Sequence, residues 1–192
     1  MQFKPPSNNI FQVYDTHQMT GINTIITTVI SVFAIGATSC ITDSGPDVHT
    51  SLSVGDPLPK FSTTLSDGTT VTDADLAGRC AVIVFFNTDC QDCRTELPRL
   101  QTAFECTRDR AEWLAIAREQ SKDDVEAFWQ ANGLSMPYSA HDDRTTYNLF
   151  ASEGIPRVYI SANRVITAHY GPENMPATGD LAKTIIDITT PK

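Results

Sequence analysis

Seven consecutive residues, Cys80 to Phe86 (CAVIVFF), are apolar and rich in β-branched and aromatic side chains, and four positions later the chain reads Cys90-Gln91-Asp92-Cys93. A run of that kind, without polar alternation, is a strand covered on both faces, which demands a sheet with layers on either side of it. The segment after it carries Leu97, Leu100 and Phe104 on one helical face, so the cysteine pair falls at a strand-to-helix junction. Pro98 is expected to kink that helix, because proline lacks a backbone donor and crowds the preceding turn.

That position gives the pair its chemistry. Three residues of helix rise about 4.5 Å, near the roughly 4.4 to 6.8 Å that a disulfide accepts between Cα atoms. Cys90, at the helix start, faces unpaired backbone N–H groups and the positive end of the helix dipole, both of which favour a thiolate nucleophile. Cys93, one turn in, suits the resolving role in an exchange through a mixed disulfide. Half of a zinc site is the other reading of two cysteines at this spacing, but Cys80, Cys106, His141 and His169 supply no second paired motif.

The remaining elements follow from pattern. Phe61 to Leu65 and Thr69 to Thr72 flank Ser66-Asp67-Gly68 and predict a β-hairpin, and Asp73 to Gly78 a single turn. Trp113 to Ala117 reads as a strand. Ser121 and Asp124 read as a capping box opening a helix with Val125, Phe128 and Trp129 buried and Gly133 at its end. A short helix over 147–151, strands over 157–161 and 165–170 joined at Ala162-Asn163, and a last helix over 178–188 burying Leu181, Ile185 and Ile188 complete an α/β domain with a mixed sheet.

The chain holds five cysteines, so a fully paired disulfide framework is impossible. One of them closes an N-terminal apolar segment. Residues 22–38 (INTIITTVISVFAIGAT) carry no charge and are too short and Thr-rich for a comfortable span, which takes about 20 predominantly apolar residues. The segment fits a signal-peptide core and runs through Ala37-Thr38-Ser39 into Cys40, which resembles a bacterial lipobox. Residues 1–39 are therefore expected to be a lipoprotein-type signal peptide, 40–54 a flexible tether and 55–192 the domain. An uncleaved anchor, or a plain secretory signal, would export the domain equally. The net charge of −9, with no basic stripe, argues against a nucleic-acid partner.

From Gly55 to about Gly171 the chain resembles the thioredoxin-like thiol–disulfide oxidoreductases of the TlpA/ResA group. The resemblance is carried in order by Gly55-x-Pro57-x-Pro59-x-Phe61, Asp67-Gly68, Leu76-x-Gly78 before the buried strand, the cysteine pair, Pro98 and Gly154-Ile155-Pro156. It implies a thioredoxin fold, a mixed central β-sheet flanked by helices with an N-terminal β-hairpin extension. It also implies a cis Pro156 packed against the cysteine pair, and a backbone at Ile155 that pairs with an extended substrate segment.

Three positions depart from that pattern. Asp89 stands where tryptophan is usual, the motif interior Gln91-Asp92 lacks proline, and Val84 occupies the site of thioredoxin's buried aspartate. Asp89 and Asp92 oppose a thiolate beside them, with Arg94 a partial offset, so the pair is expected to be reducing rather than strongly oxidising. Cys80 and Cys106 are expected to be buried core thiols, with a bridge between them or a regulatory role as the alternatives.

The activity implied is exported, lipid-anchored protein-disulfide exchange in the bacterial cell envelope, with no metal or organic cofactor. Its partners would be cysteine-containing exported proteins and a membrane electron donor of the thiol-relay type. Other readings compete. A peroxidase of this fold carries Thr or Ser where Asn87 stands; a copper-delivery protein has three residues between its cysteines and adds a histidine, such as His141 or His169; a binding module with an inert disulfide keeps only the shape.

Overall fold

The computed structural model describes residues 51–191. The expected signal peptide, Cys40 and most of the expected tether lie outside the described residues. By Ser51 the chain is already docked: Ser51 bridges Ala151, the Leu52 N–H donates to the Phe150 carbonyl at 2.8 Å, and the Leu52 side chain is buried. The tether expected up to residue 54 therefore gives way earlier, because Leu52 joins the apolar cluster of Phe61, Phe150 and Ala151.

Strands β1 (Ser62–Thr64) and β2 (Thr70–Thr72) form an antiparallel ribbon whose turn uses Gly68 at φ 88°. A single 3-10 turn, Asp73–Leu76, leads into β3 (Cys80–Phe86), then α1 (Gln91–Thr107), β4 (Glu112–Ala117), α2 (Lys122–Ala131), β5 (Tyr138–Ser139) and α3 (Thr145–Asn148). The chain closes with β6 (Arg157–Ala162), β7 (Val165–Tyr170) and α4 (Thr178–Thr189). The sheet order is β5-β4-β3-β6-β7, with β3, β4 and β5 parallel and β6 and β7 antiparallel to their neighbours.

All seven residues of β3 are buried, as the unbroken apolar run requires of a central strand. Side chains alternate across a strand. Val82, Val84 and Phe86 accordingly join Leu97, Leu100, Trp129, Leu181 and Ile185 on one face, where α1, α2 and α4 pack. Ala81, Ile83 and Phe85 meet Leu76, Tyr147, Phe150, Tyr159 and Ile166 on the other. Each large side chain so buried contributes roughly 1.5–3 kcal/mol, and the two clusters together fix the sheet edge at which the cysteine pair stands.

Three further sequence expectations change. The helix expected over 147–151 is α3, two residues earlier, because Asp143 accepts the Thr145 N–H at 2.8 Å and starts the turn ahead of the apolar Tyr147. Strand β5 was not expected; two residues carry no readable periodicity, and it exists by pairing with Ala115 and Ile116. Cys106 is not a core thiol: it is exposed, while Cys80 is buried, and both are free. Nine residues past Leu97 is two and a half turns of helix, which sets Cys106 on the solvent side of α1.

Candidate functional site

The register of β3 with β4 and β6 assembles the site. The parallel pairing Phe86↔Ala117 brings the residues after β4 beside those after β3, and the antiparallel pairing Phe85↔Arg157 brings Pro156 to the same edge. Asn87 to Asp89 form the link to the helix. The Asn87 side chain accepts the Asp89 N–H at 2.8 Å and donates to the Arg118 carbonyl at 3.0 Å, while its own carbonyl accepts the Cys90 N–H at 3.1 Å. Thr88 and Gln120, both buried, bond reciprocally: the Thr88 N–H donates to the Gln120 Oε1 and the Gln120 amide to the Thr88 hydroxyl, each at 2.6 Å.

Cys90 is the N-cap of α1, with φ −77° and ψ 122°. Its Sγ accepts the Cys93 N–H at 3.4 Å, a capping bond that satisfies one of the helix's free donors, and donates to the Ile155 carbonyl at 3.7 Å. Cys90 is half-buried and Cys93 fully buried. Burial pushes the Cys93 thiol well above the ordinary range and its bond with Cys90 adds to that, while the Asn87 N–H and the Arg118 charge pull it down by less. The outer sulfur faces the surface and the inner one is held as a thiol.

The Ile155–Pro156 peptide bond is cis. Its loop is braced from beneath: the Gly154 carbonyl accepts the Tyr147 hydroxyl at 2.8 Å and the Arg157 Nε at 3.1 Å, and the same Nε reaches the Glu153 carbonyl at 2.9 Å. Gly154 lies at φ 79°, where a side chain would be strained and a Cβ would sit 3.3 Å from the Arg157 Nη2. Beside the pair opens a cavity of about 170 Å³ lined by Asp92, Thr95, Glu96, Pro156, Pro172 and Met175.

The structure thus brings together Cys90, Cys93, Ile155 and Pro156, with Asp92 on the rim of the cavity and Asp89 exposed at the helix start. Val84 is buried in the core. His141 is spent on Thr63 and Thr146, and His169 stacks on Tyr159 with ring centroids 6.1 Å apart. Among the described residues no group of three His, Cys, Asp or Glu converges as a metal site. Four contributors escaped the sequence reading: Gln120, Tyr147, Glu96 and Arg118. Glu96, three residues past Cys93, was within reach of helical spacing; Arg118 is signalled by its place just beyond the carboxyl end of a parallel strand, where α/β sheets put their ligands.

A model of the AhpC/TSA family matches residues 54–168, a span that holds Cys90, Cys93, Ile155 and Pro156. The thiol-disulfide oxidoreductase ResA of Bacillus subtilis is 23% identical over 111 residues, 57% of this chain and 62% of its own length, so the chain spans about three-fifths of that curated relative. Among solved structures, a provisionally assigned protein disulfide isomerase of Bacteroides thetaiotaomicron superposes with a TM-score of 0.67 at 23% identity, covering 72% of this chain and 91% of its own. The thioredoxin domain of a thiol-disulfide oxidoreductase of Bacteroides vulgatus gives 0.62 at 17% identity, covering 73% and 100%. The α/β architecture with its mixed, helix-flanked sheet is a thioredoxin fold.

Proposed function

The chain belongs to the AhpC/TSA family, and from that membership and the Cys90–Cys93 geometry we propose that it is an exported thiol–disulfide oxidoreductase acting on protein disulfides. The observation that carries the reading is the asymmetry of the pair: a half-exposed sulfur capping a helix N-terminus beside the Ile155 carbonyl, with a fully buried sulfur one turn behind it. The N-terminal end of α1 turns its free N–H groups toward Cys90, whose Sγ accepts the Cys93 N–H. The Cys90 thiolate attacks a substrate disulfide, one substrate sulfur leaves as thiolate, and Cys93 then displaces the other to close Cys90–Cys93.

The extended substrate segment lies along Ile155 and Pro156 with its side chains toward the cavity that Asp92 and Glu96 rim. The aspartates at 89 and 92 oppose negative charge nearby and favour reduction of substrate over strong oxidation. ResA and the solved neighbours, named as thiol–disulfide exchange proteins, support the chemistry. The partners would be cysteine-bearing exported proteins and a membrane electron donor that re-reduces the pair; no metal or organic cofactor enters the exchange. Cys40 would carry the lipid that holds the domain at the envelope membrane.

Insulin reduction by the full chain tests both activity and direction. The wild type is expected to precipitate the insulin B chain in the presence of a dithiol donor, and Cys90→Ser to fall to the uncatalysed rate. Equal rates in the two would end the reading, and an oxidising protein would leave insulin intact. Incorporation of labelled fatty acid into the wild type, absent from Cys40→Ser, tests the anchor.

A further inference from the structure

We infer that Arg157 and Tyr147 are positioning residues for substrate: together they pin the Gly154 carbonyl beneath the proline loop and so turn the Ile155 N–H out to meet the backbone of a bound segment beside Cys90. The inference rests on Cys90 and Cys93 being an exchanging pair.

A peptide unit is planar and trans, so its C=O and N–H point opposite ways. In the unit that joins Gly154 to Ile155, the carbonyl accepts the Tyr147 hydroxyl at 2.8 Å and the Arg157 Nε at 3.1 Å. The Ile155 N–H is thereby turned away from both donors. A second relation gives the same direction. A residue before proline is held extended, and in an extended residue the N–H and C=O lie on one side of the chain; the Ile155 C=O accepts the Cys90 thiol at 3.7 Å. Among the described residues nothing accepts the Ile155 N–H. Main-chain donors rarely go unpaired away from water. This one stands next to the reactive sulfur, where a carbonyl of an extended segment would complete it.

Arg157 is the unusual member. It opens β6 opposite Phe85 of β3, and it is buried. A buried charge is ordinarily paired, yet among the described residues no carboxylate meets Arg157. Its donors go instead to the Glu153 carbonyl at 2.9 Å, to the Gly154 carbonyl and, through Nη1 at 3.3 Å, to the Ser51 hydroxyl, which also meets the Tyr159 hydroxyl at 3.1 Å. The guanidinium shapes the loop. Tyr147 is held as firmly, its ring edge-on to Phe85 with centroids 5.4 Å apart. Both donors are therefore anchored on β3, the strand that leads to Cys90, and the free N–H of the groove is fixed relative to the nucleophile.

Two neutral oxidants with the same leaving group provide the test. One is 2,2′-dithiodipyridine, too small to pair along the loop; the other is a short end-blocked peptide with a central cysteine capped as its 2-pyridyl disulfide. Each is mixed by stopped flow with the reduced full chain carrying Cys40→Ser and Cys106→Ser. The Cys90 thiolate attacks the peptide sulfur, and the pyridyl sulfur leaves with the bonding pair and takes up a proton as thiopyridone. Cys93 then gives its proton to water and attacks the Cys90 sulfur, and the peptide leaves as a thiol. The pair is oxidised to a disulfide and the probe is reduced.

Arg157→Met removes the donors and keeps the bulk, whereas Tyr147→Phe removes only the hydroxyl. The peptide concentration at half-maximal rate is expected to rise about tenfold in the first and about threefold in the second, since a hydrogen bond of ordinary net strength to the bound segment is weakened or lost. The limiting rate with peptide and the rate with 2,2′-dithiodipyridine are expected to hold at wild-type values; general loosening of the loop would slow both probes alike. Tyr147→Phe decides if circular dichroism shows Arg157→Met unfolded. An unchanged half-maximal concentration in a folded variant, or equal slowing with the two probes, overturns the inference. A wild type that releases no thiopyridone from either probe overturns instead the reading of the pair.

Discussion

The four cysteines of the described residues show how far environment, rather than residue type, decides reactivity. Cys90 borrows a helix N-terminus, Cys93 is buried behind it, Cys106 stands in solvent, and Cys80 begins the core strand. Burial pushes the Cys80 thiol up to about 11, and since the thiolate is the nucleophile, Cys80 should react with iodoacetamide about a hundredfold more slowly than free cysteine at pH 8. Cys106 carries no such cover. In a Cys90→Ser, Cys93→Ser chain, peptide mass spectrometry is expected to find Cys106 modified within minutes and Cys80 untouched; labelling of both together would contradict the burial assigned to Cys80. The same contrast explains the misreading of Cys106. Residue type predicts burial on average, whereas the phase of the helix, set by Leu97, Leu100 and Phe104, decides it for one position.

At the level of elements, what the sequence made legible is what is encoded locally. The strand β3 follows from an unbroken apolar run, and α1 from its apolar spacing and the cysteine at its cap. Helix α2 follows from Ser121, whose hydroxyl accepts the Asp124 N–H at 3.2 Å. What escaped is made by pairing between distant segments: β5 needs the edge of β4, and Arg118 and Gln120 reach the site only because β4 lies parallel to β3. Gln120 has the most to show for this. It closes two buried bonds to Thr88, two residues before Cys90, across 32 positions of chain. Gln120→Ala would leave the Thr88 N–H without an acceptor in a dry site, a loss of about 1–3 kcal/mol. Chemical denaturation is expected to show that loss together with slower insulin reduction, since the loop that aims Cys90 would be freed; a change below about 0.5 kcal/mol would mean that water substitutes for the amide.

Across the whole domain, the same long-range logic ties the β1–β2 ribbon to the main sheet through one titrating group. His141 Nε2 meets the Thr63 hydroxyl at 2.8 Å and its Nδ1 the Thr146 hydroxyl at 3.5 Å, while Thr63 also donates to Ser139 at 2.7 Å. Burial lowers the affinity of His141 for a proton below the ordinary 6.5, against a smaller opposite pull from Asp143 and Asp142. The folded protein therefore favours the neutral ring. Above about pH 6.5 this contribution to stability is complete; as pH falls the unfolded chain takes up its proton first, and the contribution is lost as pH drops through the folded value. The carboxylates held down by hydrogen bonds, Asp67, Asp75 and Asp143, all lie below 3.8 and act only in stronger acid. A fall in stability that sets in as pH drops below about 6.5 is then the signature of His141. Urea midpoints measured from pH 7.5 to 5 are expected to decline in the wild type and to stay level in His141→Gln, which keeps an amide in reach of Thr63 and carries no titrating ring. A decline of equal slope in the variant would assign the acid sensitivity to another group and leave the ribbon's attachment independent of pH.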